Sequence, residues 1–113
     1  MPTKKNPLNL NPLQLRTLTL LQALAELPSA KPGEAAGSVE LTTLPDPHGD
    51  HFHLGDAVVA AKDATGLRNR AVWAALERKG LVATQFPRSA TLLPAGRDYE
   101  TGLRDAILHR ATH

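Results

Sequence analysis

A chain of 113 residues, 42% of them hydrophobic, is long enough for one domain with its own core and too short for two. The absence of cysteine excludes a disulfide framework and any thiolate metal centre, and no stretch approaches the roughly 20 consecutive apolar residues of a membrane span. Thirteen basic against eleven acidic residues leave a net charge of only +2, so the distribution of charge carries more information than its sum.

In chain order, the opening MPTKKNPLNLNPLQL has two lysines but no continuous apolar core and no small-residue cleavage site. It does not read as a signal peptide, and the expected compartment is the cytoplasm. Residues 1–10 are expected to be a flexible arm and residues 11–113 the single domain. Asn11-Pro12 is a helix start, with Asn as cap and Pro at the first helical position. The spacing predicts a helix over about 12–27. Leu13, Leu20, Leu21, Leu24 and Leu27 share one broad face, while Leu15 and Leu18 fall on another. That second patch requires a cover, either a C-terminal helix of the same chain or a second copy in a homodimer.

Residues 28–38 read as a loop rich in Pro, Gly, Ala and Ser. Residues 39–44 alternate as a strand, 45–50 have turn chemistry, and 51–54 read as a returning strand. The expectation is a β-hairpin, or at least one strand that pairs with the later hairpin. Residues 56–64 read as a short helix capped by Gly55 or Asp56, followed by a Thr65-Gly66 turn with Leu67 plugging the core. The next helix is expected over about 68–79. Val72, Trp73 and Leu76 form its buried side, and Arg70, Ala71, Ala74, Ala75 and Arg78 its outward side. Trp73 reads as core and not as a ligand platform. Gly80 is a natural helix terminator. Strands are expected at 81–86 and 90–93 around a Pro87-Arg88-Ser89 turn, and then a helix over about 97–110 with Tyr99, Leu103, Ala106 and Ile107 inward. The class is α+β, mostly helical.

Charge is segregated along this order. Residues 66–97 hold six basic side chains (Arg68, Arg70, Arg78, Lys79, Arg88, Arg97) and one acid, Glu77. Residues 34–56 hold five acids, three histidines and no Lys or Arg. The first stretch would present a locally positive surface.

At Leu76-Glu77-Arg78-Lys79-Gly80-Leu81-Val82, followed by Leu92-Leu93-Pro94-Ala95-Gly96-Arg97, the chain resembles winged helix-turn-helix bacterial transcription regulators, most closely the MarR-like group. The resemblance covers about residues 54–100. It implies a winged helix-turn-helix with an added N-terminal hairpin or strand and a C-terminal helix, its recognition helix at about 68–79 and its wing at about 81–93. It also implies a homodimer formed through the N- and C-terminal helices, bound to duplex DNA to regulate transcription. Arg68, Arg88 and Lys79 would contact phosphates, and Arg70 and Asn69 the base edges. Arg78, with Lys79, also complements the C-terminal end of the helix dipole. Asn69 reads equally well as a buried or capping residue.

The chain departs from that pattern at Arg68, where the family usually has Ser or Thr, and at Asn69, where it has a small β-branched residue. Alanines also replace the polar residues that commonly read bases. An alanine-faced helix suits a partner protein as well, so a winged-helix interaction module without DNA binding is the alternative. A second alternative comes from DPHGDHFHLGD, in which His48, His51 and His53 could hold Zn²⁺ or Ni²⁺ in a metal-responsive repressor. The simpler reading there is a polar turn and a strand with Phe52 and Leu54 inward and the histidines in water. The chain has no Gly-rich phosphate loop, no Gly-x-Ser-x-Gly and no catalytic Cys, so neither an enzyme nor a cofactor is expected.

Overall fold

The computed structural model describes residues 6–27, 30–34, 36–41, 50–54, 57–85 and 89–110, less the side chains of Phe52, Arg68, His109 and Arg110. The first helix, α1 (Pro12–Ala25), begins where its local chemistry places it. Asn11 Oδ1 accepts from the Gln14 amide at 2.8 Å, and Gln14 Oε1 accepts from the Asn11 amide at 2.9 Å. This reciprocal box satisfies two amides that the first helical turn leaves open. The helix ends two residues earlier than the leucine spacing predicts, because Glu26 and Leu27 already bond back to Ala23 and Leu24 in a tightened last turn.

From Thr17 onward α1 is enclosed on most of its circumference. Leu18, Leu20 and Leu21 are fully buried together with Thr17 and Thr19. The Thr17 hydroxyl donates to Leu13 O at 2.9 Å. The Thr19 hydroxyl lies 2.8 Å from Leu15 O and 2.6 Å from Thr101 Oγ1. The second leucine patch of the helix, Leu15 and Leu18, is therefore packed within the chain itself.

A four-stranded antiparallel sheet lies against α1. Its strands are β1 (Lys31–Pro32), β2 (Val39–Leu41), β5 (Val82–Gln85) and β6 (Ser89–Leu92), in the spatial order β1-β2-β6-β5. Val39 and Val82 both stand opposite Leu92, and Leu41 and Thr84 opposite Ala90. Directly opposed residues share a face, and Val39, Leu41, Val82, Ala90 and Leu92 are all buried. The expected partner of residues 39–44 was the 51–54 strand. The pairing found is the other one foreseen, with the later hairpin.

Residues 51–54 form β3 (His51–Leu54) and pair instead with β4 (Ala57–Ala60). β4 pairs on its other side with β7 (His109–Arg110), which makes a second sheet in the order β3-β4-β7. The helix predicted over 56–64 is thus not formed. Its first half is β4, and its second half is a 3-10 turn (Ala61–Asp63) leading to another (Thr65–Arg68). Val58 and Val59 are β-branched and suit a pleated strand better than a helix. The ladder from His51↔Ala60 to Leu54↔Ala57 supplies the hydrogen bonds that an isolated helix would otherwise make. Leu67 is buried as the sequence implied. Gly66 lies so close to α1 that a Cβ there would collide with the Thr17 hydroxyl.

The helix predicted over 97–110 is also absent. In its place stand two short helices, α3 (Pro94–Asp98) and α4 (Arg104–Ile107), and the strand β7. The break has a local contribution, Gly102 at φ +71°, which no α-helix accommodates, and a tertiary one. Gln22 on α1 donates from Nε2 to Gly96 O at 2.7 Å and to Tyr99 O at 2.8 Å, the carbonyls a continuing helix would need for its own ladder. Tyr99 turns extended and its hydroxyl donates to Asn6 Oδ1 at 2.6 Å while accepting from the Leu8 amide at 3.1 Å. Residues 6–10, expected within the flexible arm, are held as a packed turn in which Leu10 is buried. Residues 1–5 lie outside the described residues.

Candidate nucleic-acid interface

The helix predicted over 68–79 is present as α2 (Arg70–Arg78), two residues shorter at its start than the sequence reading and one at its end. Val72, Trp73 and Leu76 are buried, with Trp73 only 1% exposed. Ala75, placed outward by the helical spacing, is buried as well. The solvent side holds Arg70, Ala71, Glu77 and Arg78, with Ala74 half-buried between them. Arg70 and Arg78 are separated by roughly 12 Å along the axis, a little over two turns.

Both ends of α2 are closed by local sequence. Asn69 is its N-cap: Oδ1 accepts from the Ala71 amide at 2.9 Å and from the Val72 amide at 3.3 Å. Of the roles open to Asn69, capping is the one its side-chain oxygen fills. At the other end the Leu81 amide bonds to Leu76 O and the Gly80 amide to Glu77 O, with Gly80 at φ +76°. This is a Schellman closure, with buried Leu76 and Leu81 as its hydrophobic pair. Gly80 adopts the left-handed backbone that this closure needs and that other residues resist.

The Gly80 turn sends the chain directly into β5, so the β5–β6 hairpin stands beside α2. Glu77 Oε2 accepts from the Thr84 amide at 3.1 Å. The one acid of the basic stretch is therefore engaged with the hairpin. The basic candidates divide as follows. Arg70 and Arg78 are exposed on α2. Lys79 is exposed too, but its Nζ donates to Leu8 O at 2.8 Å and fastens the N-terminal turn to the end of α2. The backbone of Arg68 lies in the 3-10 turn before the cap, and its side chain is outside the described residues, as is all of Arg88 at the hairpin tip. Arg97, outside the hairpin, donates from Nη1 to Gly37 O at 2.8 Å and ties α3 to the loop before β2.

Of the histidine candidates, His48 lies outside the described residues, while His51 and His53 project from the solvent side of β3. Asp50 is fully exposed, and its hydrogen bond with His51, together with a bond to its own backbone amide, holds its carboxyl below the usual carboxylate range. Among the described residues no three His, Asp or Glu side chains converge on a point that could hold an ion. A polar cleft of about 230 Å³ opens between α1 and the C-terminal segment, walled by Gln22, Glu26, Arg97, Asp98 and Arg104. Arg104 closes on Glu26 at 2.6 Å across it.

Sequence reasoning missed Gln22, Tyr99 and Glu77 as positioning groups. Each acts on a backbone group that spacing alone does not bring near it. Among the described residues no helix is long and apolar enough to cross a membrane. In comparisons with known proteins, no family model, no curated protein and no solved structure matches the chain.

Proposed function

We propose that this chain is a winged helix-turn-helix domain that binds duplex DNA through the exposed side of α2. The observation that carries the reading is a helix whose solvent side has an arginine at each end, Ala71 and half-buried Ala74 between them and Glu77 turned to the Thr84 amide, standing beside an antiparallel hairpin. The element order supports it: α1, then β2, then the 3-10 turns in the place of a second helix, then α2, β5 and β6, with the three strands in the spatial order β2-β6-β5. A winged helix orders its helices and its three strands in this way, and in this reading β1, the β3–β4 hairpin and the C-terminal segment are additions to it.

In this reading Ala71 and Ala74 let the α2 backbone approach the floor of a major groove. Arg70, in the first turn, reaches a base edge or a phosphate, and Arg78 a phosphate two turns later. Arg68 and Arg88, which the sequence reading assigns to phosphates, have side chains outside the described residues, and the reading does not rest on them. Asn69 contributes by fixing the start of α2, and Lys79 by holding residues 6–10 against its end. Affinity then comes mainly from counterion release and falls steeply with salt.

Fluorescence anisotropy of a labelled random-sequence duplex tests this. The chain should bind at low salt, with log K falling linearly against log salt. Replacing Arg70 and Arg78 together with Ala should weaken binding about tenfold or more and flatten the salt slope by about two contacts. Arg70→Lys should keep most of the slope while losing preference among duplex sequences, because Lys lacks the planar fork that reads guanine. If the natural chain fails to bind any duplex at low ionic strength, the DNA reading falls, and the alanine side of α2 becomes the docking face of a protein interaction module.

A further inference from the structure

The outward face of β3 carries two imidazoles for which duplex binding has no use. His51 and His53 alternate along the strand and therefore stand on one side of it, while Leu54 faces inward and is buried. Their ring centroids are 5.2 Å apart, with the planes at 81°. Two imidazoles bound at about 2.0–2.1 Å to one tetrahedral ion bring their centroids to roughly 5 Å. The centroid separation is the one an ion would impose; the rings here meet edge-on, and both nitrogens reach one ion after rotation about the side-chain torsions.

Asp50 adds a second feature. Its Oδ1 lies 3.2 Å from His51 Nδ1. An ionised carboxylate only accepts, so the proton of the ring sits on Nδ1 and the lone pair on Nε2. A carboxylate behind a ligating imidazole is the arrangement that fixes the tautomer and orientation of metal-binding histidines. The backbone is held as well: His51 stands opposite Ala60 and His53 opposite Val58 in the ladder with β4. Those neighbours bring a methyl and an isopropyl group to this face, and neither carries a charge that would repel a cation.

We propose that His51 and His53 form an open, two-imidazole site for a divalent transition-metal ion, Zn²⁺ foremost, with Asp50 orienting His51 and water completing the coordination shell. Imidazole donors select Zn²⁺, Cu²⁺ and Ni²⁺ over the oxygen-seeking Mg²⁺ and Ca²⁺. The site lies on the β3-β4-β7 sheet and does not depend on whether α2 binds DNA.

Isothermal titration of Zn²⁺ into the full chain, in a buffer that does not chelate, is the direct test. One saturable ion per chain is expected. His51→Gln and His53→Gln should each lower the affinity at least tenfold, and Asp50→Asn about 10- to 100-fold. Mg²⁺ in place of Zn²⁺ should give no saturable heat. A second readout needs no variant: substoichiometric Cu²⁺ should broaden the imidazole NMR signals of His51 and His53 together, ahead of the other histidines. Undiminished Zn²⁺ uptake by both Gln variants, no uptake by the parent chain, or first broadening at another histidine would each overturn the proposal.

Discussion

Two antiparallel sheets share this chain and differ in what they contribute. The β1-β2-β6-β5 sheet buries Val39, Leu41, Val82, Ala90 and Leu92 beneath α1 and α2, and the fully buried Trp73, Leu18, Leu76 and Leu81 belong to the same core. The β3-β4-β7 sheet adds Leu54 and Val59 to that core and shows His51 and His53 to solvent. The first sheet is a packing surface whose inward residues are constrained by the core, while β1 and the alternate residues of its other strands face outward. The second is attached by a narrow inner stripe, and its outer face is free to carry chemistry without disturbing the fold. Such unequal burial implies unequal local stability, with openings of lower free energy expected in β3 and β4 than in α1 or β6.

Substitutions of graded severity can break or sharpen this contrast. The largest effect should come from Leu18→Ala on α1, where the side chain is fully buried between elements on several sides. A loss of about 2–5 kcal/mol is expected in denaturant unfolding, with protection of both sheets falling together. A loss confined to one sheet would show that the two do not share a core. Intermediate in size is Asn69→Ala, which removes the cap of α2. It should cost about 0.5–2 kcal/mol, whereas Asn69→Asp, which still caps, should retain most of the stability. Salt-dependent duplex binding should weaken in the Ala variant and persist in the Asp variant at a reduced level, since Asp adds a negative charge beside Arg70. Unchanged stability in Asn69→Ala would mean the cap contributes nothing, and Asn69 would return to consideration as a base-contacting residue. The smallest effect belongs to the outer face of the second sheet. The double variant His51→Ala, His53→Ala should unfold within about 0.5 kcal/mol of the parent in the presence of a chelator. A larger loss would show that the imidazole pair is structural.

The candidate site was legible in outline and not in its division of labour. Six polar residues were singled out around α2 and the hairpin, and α2 does present Arg70 and Arg78 to solvent. The helix ends were readable because their signals are local: an Asn before the first turn, a Gly after the last, and hydrophobic residues at helical spacing between. The internal engagement of Lys79 with Leu8, 71 residues away, has no local signature. Nor does the bond from the Thr84 amide to Glu77, seven residues apart across the Gly80 turn. Ala75 was misplaced for a related reason. Its small side chain tolerates either face of a helix, and only the packing of neighbouring elements decides which.

What the amino-acid order determined by itself is the set of elements whose instructions lie within a few residues: α1 with its Asn11–Gln14 box, α2 between Asn69 and Gly80, and the hairpin of β5 and β6. Tertiary structure decided the fate of the segments with mixed local preferences. Residues 57–60 are alanine and valine, compatible with either period, and the ladder with β3 made them a strand. Residues 97–110 have a helical pattern, yet Gln22 takes the carbonyls of Gly96 and Tyr99 from 74 and 77 residues away, and Tyr99 is held by Asn6 from 93 residues away. Capping and periodicity act over about one helical turn, and where they are strong they win. Where they are weak, the outcome passes to hydrogen-bond partners that only the folded chain brings within reach.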